Sequence, residues 1–216
     1  MNPGLIRIWK ENRSLVLFIL LMFIFRSVCA DWNTVPSGSM KPTILEGDRL
    51  LVNKIAYDLR IPFTHISLYR ISNPARGDIV IFDSEAAGNK LVKRVIGVPG
   101  DVVELRDNVL YINGERLSYE ESRSTSTTTD KSEDLLGLEH MVRIHNAGSV
   151  MSSFQPVSIP AGYYLVLGDN RDNSADSRVI GLVPRAEIVG RTRSVVWSLD
   201  YDNYYFPRSD RFLYTL

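Results

Sequence analysis

Short apolar stretches separated by turn residues follow Trp32, and they constrain the fold more than any other feature. Six stretches are typical of β-strands, with glycine and proline residues between them: residues 49–52, 78–82, 91–98, 109–117, 163–167 and 194–198. The fourth contains Asn113-Gly114, a dipeptide that favours a two-residue hairpin turn. No long stretch after Trp32 has a helical period. The pattern therefore predicts a mostly-β protein, a sandwich or a barrel.

Two segments depart from this pattern. Residues 118–153 are rich in serine, threonine and charged side chains, and such a composition buries little apolar surface. We interpret them as a flexible polar excursion within an insertion, with the hairpin at 109–117 as its ordered base. Residues 53–73 carry scattered aromatic and aliphatic side chains, and we expect an extended ribbon that leans off the core.

An apolar run without any polar residue occupies positions 15–25 and follows three basic side chains: Arg7, Lys10 and Arg13. A helix over residues 14–32 would be about 28 Å long, close to the roughly 30 Å hydrocarbon thickness of a membrane. Basic residues before the span predict a cytoplasmic segment 1–13 and an exported remainder. The alternative is a cleaved secretory signal peptide that ends at residues 28–30, but Arg26 lies where such a peptide is normally uncharged.

Composition excludes several classes of function. Lys plus Arg equals Asp plus Glu, at 25 each, so the formal net charge is zero, which argues against a nucleic-acid partner. The single cysteine, Cys29, excludes an intramolecular disulfide. Cysteine, histidine and carboxylate residues show no metal-ligand spacing, so we expect neither a metal nor another cofactor.

A candidate nucleophile, Ser39, lies shortly after the apolar run, in the sequence PSGSM at 36–40. Taken alone, a cluster of proline, serine and glycine is more often a structural turn than a catalytic site. Gly38 permits close approach of a substrate to the neighbouring serine. The Ser37 hydroxyl and the backbone N–H of Ser39 are candidate donors to a developing oxyanion.

A candidate general base, Lys93, lies within a predicted strand. Alternation along a strand places Leu91, Lys93 and Val95 on one face, so the amine is carried among aliphatic side chains. Burial disfavours the charged form of a lysine and lowers its pKa, and a neutral lysine can take a proton from a serine hydroxyl. The alternative is a solvated surface lysine whose stem lies along the protein.

A polar loop, GDNRDNSADSR at 168–178, combines three Asp, two Asn, two Ser and two Arg. Many such loops are merely solvated, but this mixture has the groups for an internal network that holds Arg94 and orients the lysine amine. The chain has three histidines: His65, His140 and His145. None lies in a recognisable catalytic motif, so a Ser-His-Asp triad has no support in the sequence.

Together these features resemble the bacterial type I signal peptidases. The matching motifs run in the family's order and cover most of residues 35–190: PSGSMKPT at 36–43, GD at 47–48, RGDIV at 76–80, KRVIGVPGD at 93–101 and GDNRDNSADSR at 168–178. The resemblance implies that Ser39 is the nucleophile and Lys93 the general base. It also implies that Ser37 is the side-chain oxyanion donor and that Ser174 orients the lysine.

The resemblance implies a surrounding set of residues as well. Two ion pairs are expected beside the site, Asp176 with Arg178 and Asp169 with Arg94. Five apolar residues are expected to line shallow pockets for small substrate side chains: Val35, Met40, Ile44, Leu91 and Val92. The implied fold is an antiparallel, barrel-like β structure with one N-terminal transmembrane helix and a small inserted β subdomain. Its catalytic core would comprise residues 33–105 and 159–216, and its insertion residues 106–158.

The implied function is that of a membrane-anchored endopeptidase that removes signal peptides from exported preproteins after small residues. The partners would be preprotein signal peptides and membrane lipid, and the protein would be a single-pass monomer of the bacterial cytoplasmic membrane with an extracytoplasmic catalytic domain. The segment 31–34 is more polar than expected of the family, and only one membrane segment is visible. Two alternatives remain: a dedicated maturation peptidase of the same serine–lysine class, and an inactive, membrane-tethered peptide-binding domain.

Overall fold

The structure is a computed structural model that describes residues 3–64 and 66–216, with side chains for residues 12–24, 26–64 and 66–216. His65 and the side chains of Arg7 and Lys10 lie outside the described residues. The first element is a long helix, α1 (Pro3–Val28). In the part of the chain that the structure describes, no helix combines the length and the hydropathy needed to cross a membrane.

The helical segment ends earlier than the predicted 14–32. Residues Ala30–Thr34 form strand β1, which pairs with β2 (Asp48–Asn53). The backbone N–H of Lys54 donates to Cys29 O at 3.0 Å, and Lys54 Nζ donates to the carbonyls of Arg26 and Ser27. These bonds satisfy carbonyl groups at the end of the helix, so the chain turns into the sheet instead of continuing as a helix.

The remainder of the chain is mostly antiparallel β-structure, as the apolar stretches predicted. The strands between β2 and the polar region are β3 (Asp58–Arg60), β4 (Ser67–Arg70), β5 (Ile79–Ser84), β6 (Asn89–Gly97), β7 (Val102–Arg106), β8 (Val109–Ile112) and β9 (Glu115–Arg116). The later strands are β10 (Ser118–Ser124), β11 (Thr128–Asp134), β12 (Glu139–His145), β13 (Phe154–Ser158), β14 (Tyr163–Leu167), β15 (Val183–Pro184), β16 (Ile188–Asp200), β17 (Phe206–Pro207) and β18 (Tyr214–Thr215). A short helix, α2 (Ser177–Ile180), follows β14, and short 3₁₀ turns occur at Lys54–Ala56, Arg185–Glu187 and Ser209–Arg211.

The largest sheet has nine strands and carries the predicted catalytic residues. Its order is β1-β2-β16-β5-β6-β14-β15, with β17 and β18 paired to β16. Central strands such as β5 are buried on both faces, which explains their continuous Ile-Val-Ile-Phe sequence. Since β1 and β15 lie at opposite ends of this order, the described sheet is open, which differs from the barrel-like arrangement expected from the sequence.

A second layer packs beside this sheet and shares its core. The four-stranded sheet β13-β7-β8-β9 contributes Val103, Leu105 and Leu110 to a buried apolar cluster. The same cluster contains Ile96 of β6 and Leu165 of β14. The hairpin turn at Asn113-Gly114 has positive φ angles of 54° and 84°, as its sequence predicted. Strand β7 of this sheet ends at Arg106, where the insertion is predicted to begin, and that boundary stays a prediction.

The predicted flexible excursion is a regular three-stranded sheet, β10-β11-β12. Cross-strand hydroxyl bonds, such as Ser124 Oγ to Thr129 Oγ1 at 3.0 Å, take the place of apolar packing on its exposed face. The Arg143 guanidinium forms a bidentate bond with Asp130, at 2.6 and 2.8 Å. The composition did not indicate strands here because these pairings join polar side chains, which leave no apolar periodicity in the sequence. The segment 53–73 does contain the expected ribbon, formed by β3 and β4.

Candidate active site

The nucleophile and base predicted from the sequence meet where strand β6 of the large sheet extends beyond its pairing with β14. Lys93 lies in β6, opposite Val80 of β5. Ser39 lies in the tight turn between β1 and β2, where Lys41 N donates to Gly38 O at 3.1 Å. The Lys93 Nζ–Ser39 Oγ distance is 2.7 Å, that of a short hydrogen bond. The two side chains are therefore placed for direct proton transfer.

Burial gives Lys93 the character of a base. Its side chain is only 2% exposed, and the second partner of its amine is the carbonyl of Val92 at 3.0 Å. Loss of solvation lowers the pKa of Lys93 from 10.5 to about 8, against the opposing attraction of Asp176 and Asp169. About a tenth of the lysine is therefore neutral at pH 7, far more than for a lysine with its ordinary pKa, and a neutral amine can accept the serine proton.

An open cleft of about 550 Å³ lies in front of the pair. Ser37, Ser39 and Lys93 line it on one side, and the polar loop contributes Ser174. The Ser37 Oγ–Ser39 Oγ distance is 3.5 Å, which places the second hydroxyl beside the nucleophile. A peptide bond in this cleft can therefore contact the nucleophile and a neighbouring hydroxyl donor together.

The polar loop at 168–178 forms hydrogen bonds with the turn at residues 38–41 that carries Ser39, which we call the serine turn. Asn170 N donates to Ser39 O at 3.0 Å, and Asn170 Nδ2 donates to Gly38 O at 3.0 Å. Gly168 lies so close to this turn that a Cβ there would meet the Ser174 hydroxyl and the Ser39 carbonyl. The absence of a side chain at position 168 thus permits the close approach of the two loops.

Both expected ion pairs are present and buried. Arg94 contacts Asp169 with two bonds, Nε–Oδ1 at 2.9 Å and Nη2–Oδ2 at 2.8 Å. Burial raises the pKa of Asp169, but the Arg94 charge and hydrogen bonds outweigh it and hold that pKa below its usual value. Arg178 contacts Asp176 in the same bidentate way, at 2.8 and 2.7 Å. Asp176 Oδ2 also accepts the Gly168 N–H at 2.9 Å, which fixes the loop beside the nucleophile.

Ser174 lies beside the dyad without the expected hydrogen bond to Lys93. Its side chain lines the cleft, but Lys93 Nζ has its hydrogen bonds with Ser39 and Val92. Within the described residues, the buried Ser174 Oγ has no hydrogen-bond partner. The orienting bond between Ser174 and the lysine is therefore not formed in this structure, because the hydroxyl packs against the Gly168 backbone instead.

The expected substrate-pocket residues divide into two groups. Leu91 lines the cleft. The other four belong to a buried apolar cluster beneath the serine turn or pack against it: Val35, Met40, Ile44 and Val92. They support the turn from the core and do not form the cleft wall. The resemblance did not reveal this because the same side chains lie next to the nucleophile in sequence.

The two described histidines do not contact the nucleophile. His140 Nε2 lies 3.3 Å from Glu133 Oε1 without forming a hydrogen bond to it. Burial and the Arg94 charge lower the pKa of His140 to about 4, so it is neutral. The backbone N–H of His145 donates to Asp172 at 2.9 Å. The structure thus offers no support for a Ser-His-Asp triad among the described residues.

Sequence reasoning missed two residues that hold the site. Asn170 was noted only as part of a polar loop, although it bonds the serine turn twice. Thr43 Oγ1 donates to Asp169 Oδ2 at 2.6 Å and so links the serine turn to the ion pair with Arg94. Its place four residues after the serine was the available signal, but nothing local indicates a partner at position 169.

Comparison with known proteins assigns the chain to a family. The family model described as "Signal peptidase, peptidase S26" matches residues 8–197. Signal peptidase I of Pseudomonas aeruginosa is 39% identical over 196 residues, covering 83% of this chain and 68% of the relative. Signal peptidase I of Bacillus amyloliquefaciens is 33% identical over 188 residues, covering 87% of this chain and 84% of the relative. A crystal structure of a signal peptidase I from Enterococcus faecalis is 35% identical, covers 56% of this chain and 97% of that chain, and has a TM-score of 0.38. The chain belongs to the signal peptidase family, peptidase S26.

Proposed function

We propose that Ser39 and Lys93 carry out the reaction for which this family is named, hydrolysis of the bond that joins a signal peptide to an exported preprotein. The observation that carries the proposal is the 2.7 Å bond between Lys93 Nζ and Ser39 Oγ, made by a lysine that is 2% exposed. A charged surface lysine would not serve as a base. A buried neutral lysine beside a hydroxyl has the geometry of an activated nucleophile.

The reaction is an acyl transfer in two steps. Ser39 Oγ attacks the scissile carbonyl carbon while neutral Lys93 takes the hydroxyl proton. The carbonyl oxygen becomes an oxyanion, and the Ser37 hydroxyl and the Ser39 N–H donate to it. The C–N bond then breaks, Lys93 gives its proton to the departing amine, and an ester on Ser39 remains. Lys93 then takes a proton from a water molecule, whose oxygen attacks the ester carbon. The bond from that carbon to Ser39 Oγ breaks, Lys93 returns the proton to Ser39 Oγ, and the signal peptide leaves with a new carboxyl terminus.

The substrate is proposed to enter as an extended peptide that adds a strand beside β6. Leu91 of β6 and the small side chain of Ala175 both line the cleft that contains the dyad. A shallow cleft with this lining suits small substrate residues, in the pattern Ala-x-Ala. Ser174 is proposed to orient the Lys93 amine after rotation of its hydroxyl, since its Oγ is free of other partners within the described residues.

Attachment to the bacterial cytoplasmic membrane is part of the proposal. Apolar side chains from Leu15 to Phe23 are exposed on α1, for example Phe18 at 65%, and basic residues precede them. Residues 1–13 would lie in the cytoplasm and the β-structure outside it. The protein would act there as a monomer on preproteins that emerge from the same membrane.

The first test uses purified protein and a preprotein whose signal peptide ends in Ala-x-Ala. We expect cleavage after the last alanine, and a serine-directed acylating probe is expected to modify Ser39. Ser39→Ala removes the attacking oxygen and should abolish both results, whereas Ser209→Ala, at an exposed position, should change neither. N-terminal sequencing and mass spectrometry provide the measurements. Cleavage by Ser39→Ala at the wild-type rate, or a label on another residue, would contradict the proposal.

The pH dependence follows from the lowered pKa of Lys93. Because the neutral amine is the active form, activity is expected to rise with pH and to level off above about 8. Well below that value, kcat/KM should fall by about tenfold for each pH unit, as the neutral fraction falls. Initial rates from pH 5 to 9.5 in buffers of constant ionic strength measure this profile. A rate that is independent of pH across this range would show that Lys93 does not act as the base.

A further inference from the structure

We propose that Asn170 is a positioning residue for the nucleophile and that the inserted sheet β10-β11-β12 holds Asn170 in place. The inference rests on the proposed function of Ser39. It assigns a role in the reaction to a sheet that contributes neither the nucleophile nor the base. The proposal follows from three sets of contacts between that sheet, the polar loop and the serine turn.

The first contact joins Asn170 to the serine turn. Its backbone N–H donates to the carbonyl of Ser39, and its side-chain amide donates to the carbonyl of Gly38, both at 3.0 Å. Asn170 is 3% exposed, so water cannot replace these bonds. Two consecutive carbonyls of the serine turn are thus held by one residue. The orientation of the peptide that carries Ser39 Oγ is thereby set relative to Lys93.

The second contact joins the polar loop to the inserted sheet. Asn170 forms a parallel bridge with Arg143 at the end of β12. Arg143 N donates to Asp169 O at 2.8 Å, and Arg171 N donates to Arg143 O at 2.9 Å. The loop is therefore paired with β12 of the inserted sheet through one isolated bridge. This backbone pairing fixes the position from which Asn170 reaches the serine turn.

The third contact is a buried ion pair. Arg171 Nη2 lies 2.6 Å from Glu133 Oε1, and both residues are 0% exposed. Glu133 belongs to β11 and also accepts a hydrogen bond from the Tyr119 hydroxyl of β10. Two strands of the inserted sheet thus hold the residue next to Asn170. A pair of fully buried charges resists displacement because separating it would leave each charge without a partner.

The test compares Asn170→Asp with a matched variant, Asn146→Asp. Asn146 Nδ2 also donates to a backbone carbonyl, that of Thr125 at 2.9 Å, but it lies at the exposed end of the inserted sheet. In Asn170→Asp the side chain keeps its shape and replaces a donor with an acceptor that faces Gly38 O. We expect kcat to fall by about 10- to 100-fold because the nucleophile is misplaced, with KM changed less than about threefold.

Asn146→Asp should keep the wild-type kcat and KM. Thermal unfolding and circular dichroism of both variants show whether each is folded, and Asn170→Ser, which keeps the backbone N–H but lacks the amide, provides a second variant if Asn170→Asp does not fold. A merely structural role would lower Tm without the selective loss of kcat. Wild-type kcat in a folded Asn170→Asp or Asn170→Ser would overturn the inference.

Failure of the inference differs from failure of the proposed function. If the wild-type protein does not cleave the preprotein and its Ser39 is not acylated, the proposed function itself is wrong. If the wild-type protein cleaves and both Asn170 variants cleave equally well, only the positioning role is wrong.

A double variant, Glu133→Gln with Arg171→Gln, removes the buried charges together. It should also lower kcat more than KM, and an unchanged kcat in a folded double variant would contradict the part assigned to the inserted sheet.

Discussion

Lys93→Met is expected to lower kcat/KM for preprotein cleavage by about 10⁴-fold or more while making the folded protein more stable at pH 7. Methionine fills a similar volume but cannot accept a proton from Ser39. Lys93→Arg should be equally inactive, because a guanidinium does not lose its proton in this pH range. The two substitutions thus separate the loss of a base from the loss of a positive charge.

The gain in stability follows from the burial of the amine. Folding lowers the pKa of Lys93 from 10.5 to about 8, which corresponds to roughly 3 kcal/mol of unfavourable free energy when the lysine is charged in both states. That penalty is complete below about pH 8 and disappears as the pH rises through 10.5. Lys93→Met removes it, so the stabilisation should be largest near neutral pH and fade in alkaline solution.

Chemical denaturation at pH 7 and at pH 10, beside preprotein cleavage, measures both effects. Lys90→Met serves as the control because Lys90 lies on the same strand but is exposed, with 41% of its side chain accessible. It should change activity and stability little. Destabilisation by Lys93→Met at pH 7, or an activity within tenfold of wild type, would contradict the assignment of Lys93 as a buried lysine of lowered pKa that acts as the base.

Asp169→Ala is expected to destabilise the protein by about 3–5 kcal/mol, because it leaves the Arg94 guanidinium buried without its carboxylate. The side chains of this pair are 8% and 1% exposed. The substitution also removes the acceptor of Thr43 Oγ1, which links the ion pair to the serine turn. Activity should therefore fall even in the fraction of molecules that remains folded.

Urea denaturation and the cleavage rate per folded molecule check this second expectation. Lys90→Ala breaks an exposed pair with Asp83, at 3.5 Å, and should change stability by less than about 1 kcal/mol. In the wild-type protein, the pKa of Asp169 is held below its usual value. The ionised Asp169 carboxylate therefore contributes to the free energy of unfolding above the unfolded pKa of about 3.9, and this contribution is lost as the pH falls through the lower pKa of the folded state. An Asp169→Ala protein as stable as Lys90→Ala would show that the buried pair does not hold the site.

Local patterns were sufficient to predict much of the fold. Strands β5 and β14 contain continuous apolar runs, since both faces of a central strand are buried, whereas β6 carries Lys93 and Arg94 among its apolar residues. The Asn113-Gly114 turn followed from the backbone angles that its residues permit. Local patterns failed at residues 118–153, where cross-strand hydroxyl bonds and the Arg143–Asp130 pair order a polar sheet. Such pairings join polar side chains on neighbouring strands, and they leave no apolar periodicity in the sequence.

The mostly-β architecture, the family and the residue types proposed for the chemistry at positions 39 and 93 could be predicted from the sequence. Each depends on local composition or on motifs that are contiguous in the chain. Three further facts needed the folded structure: Asn170 bonds the serine turn, Val35, Met40 and Ile44 lie in the core, and the inserted sheet contacts the active-site loop. These facts arise from contacts between separate segments of the chain, as between Asn170 and Gly38, and close packing selects such contacts only when the whole chain is folded.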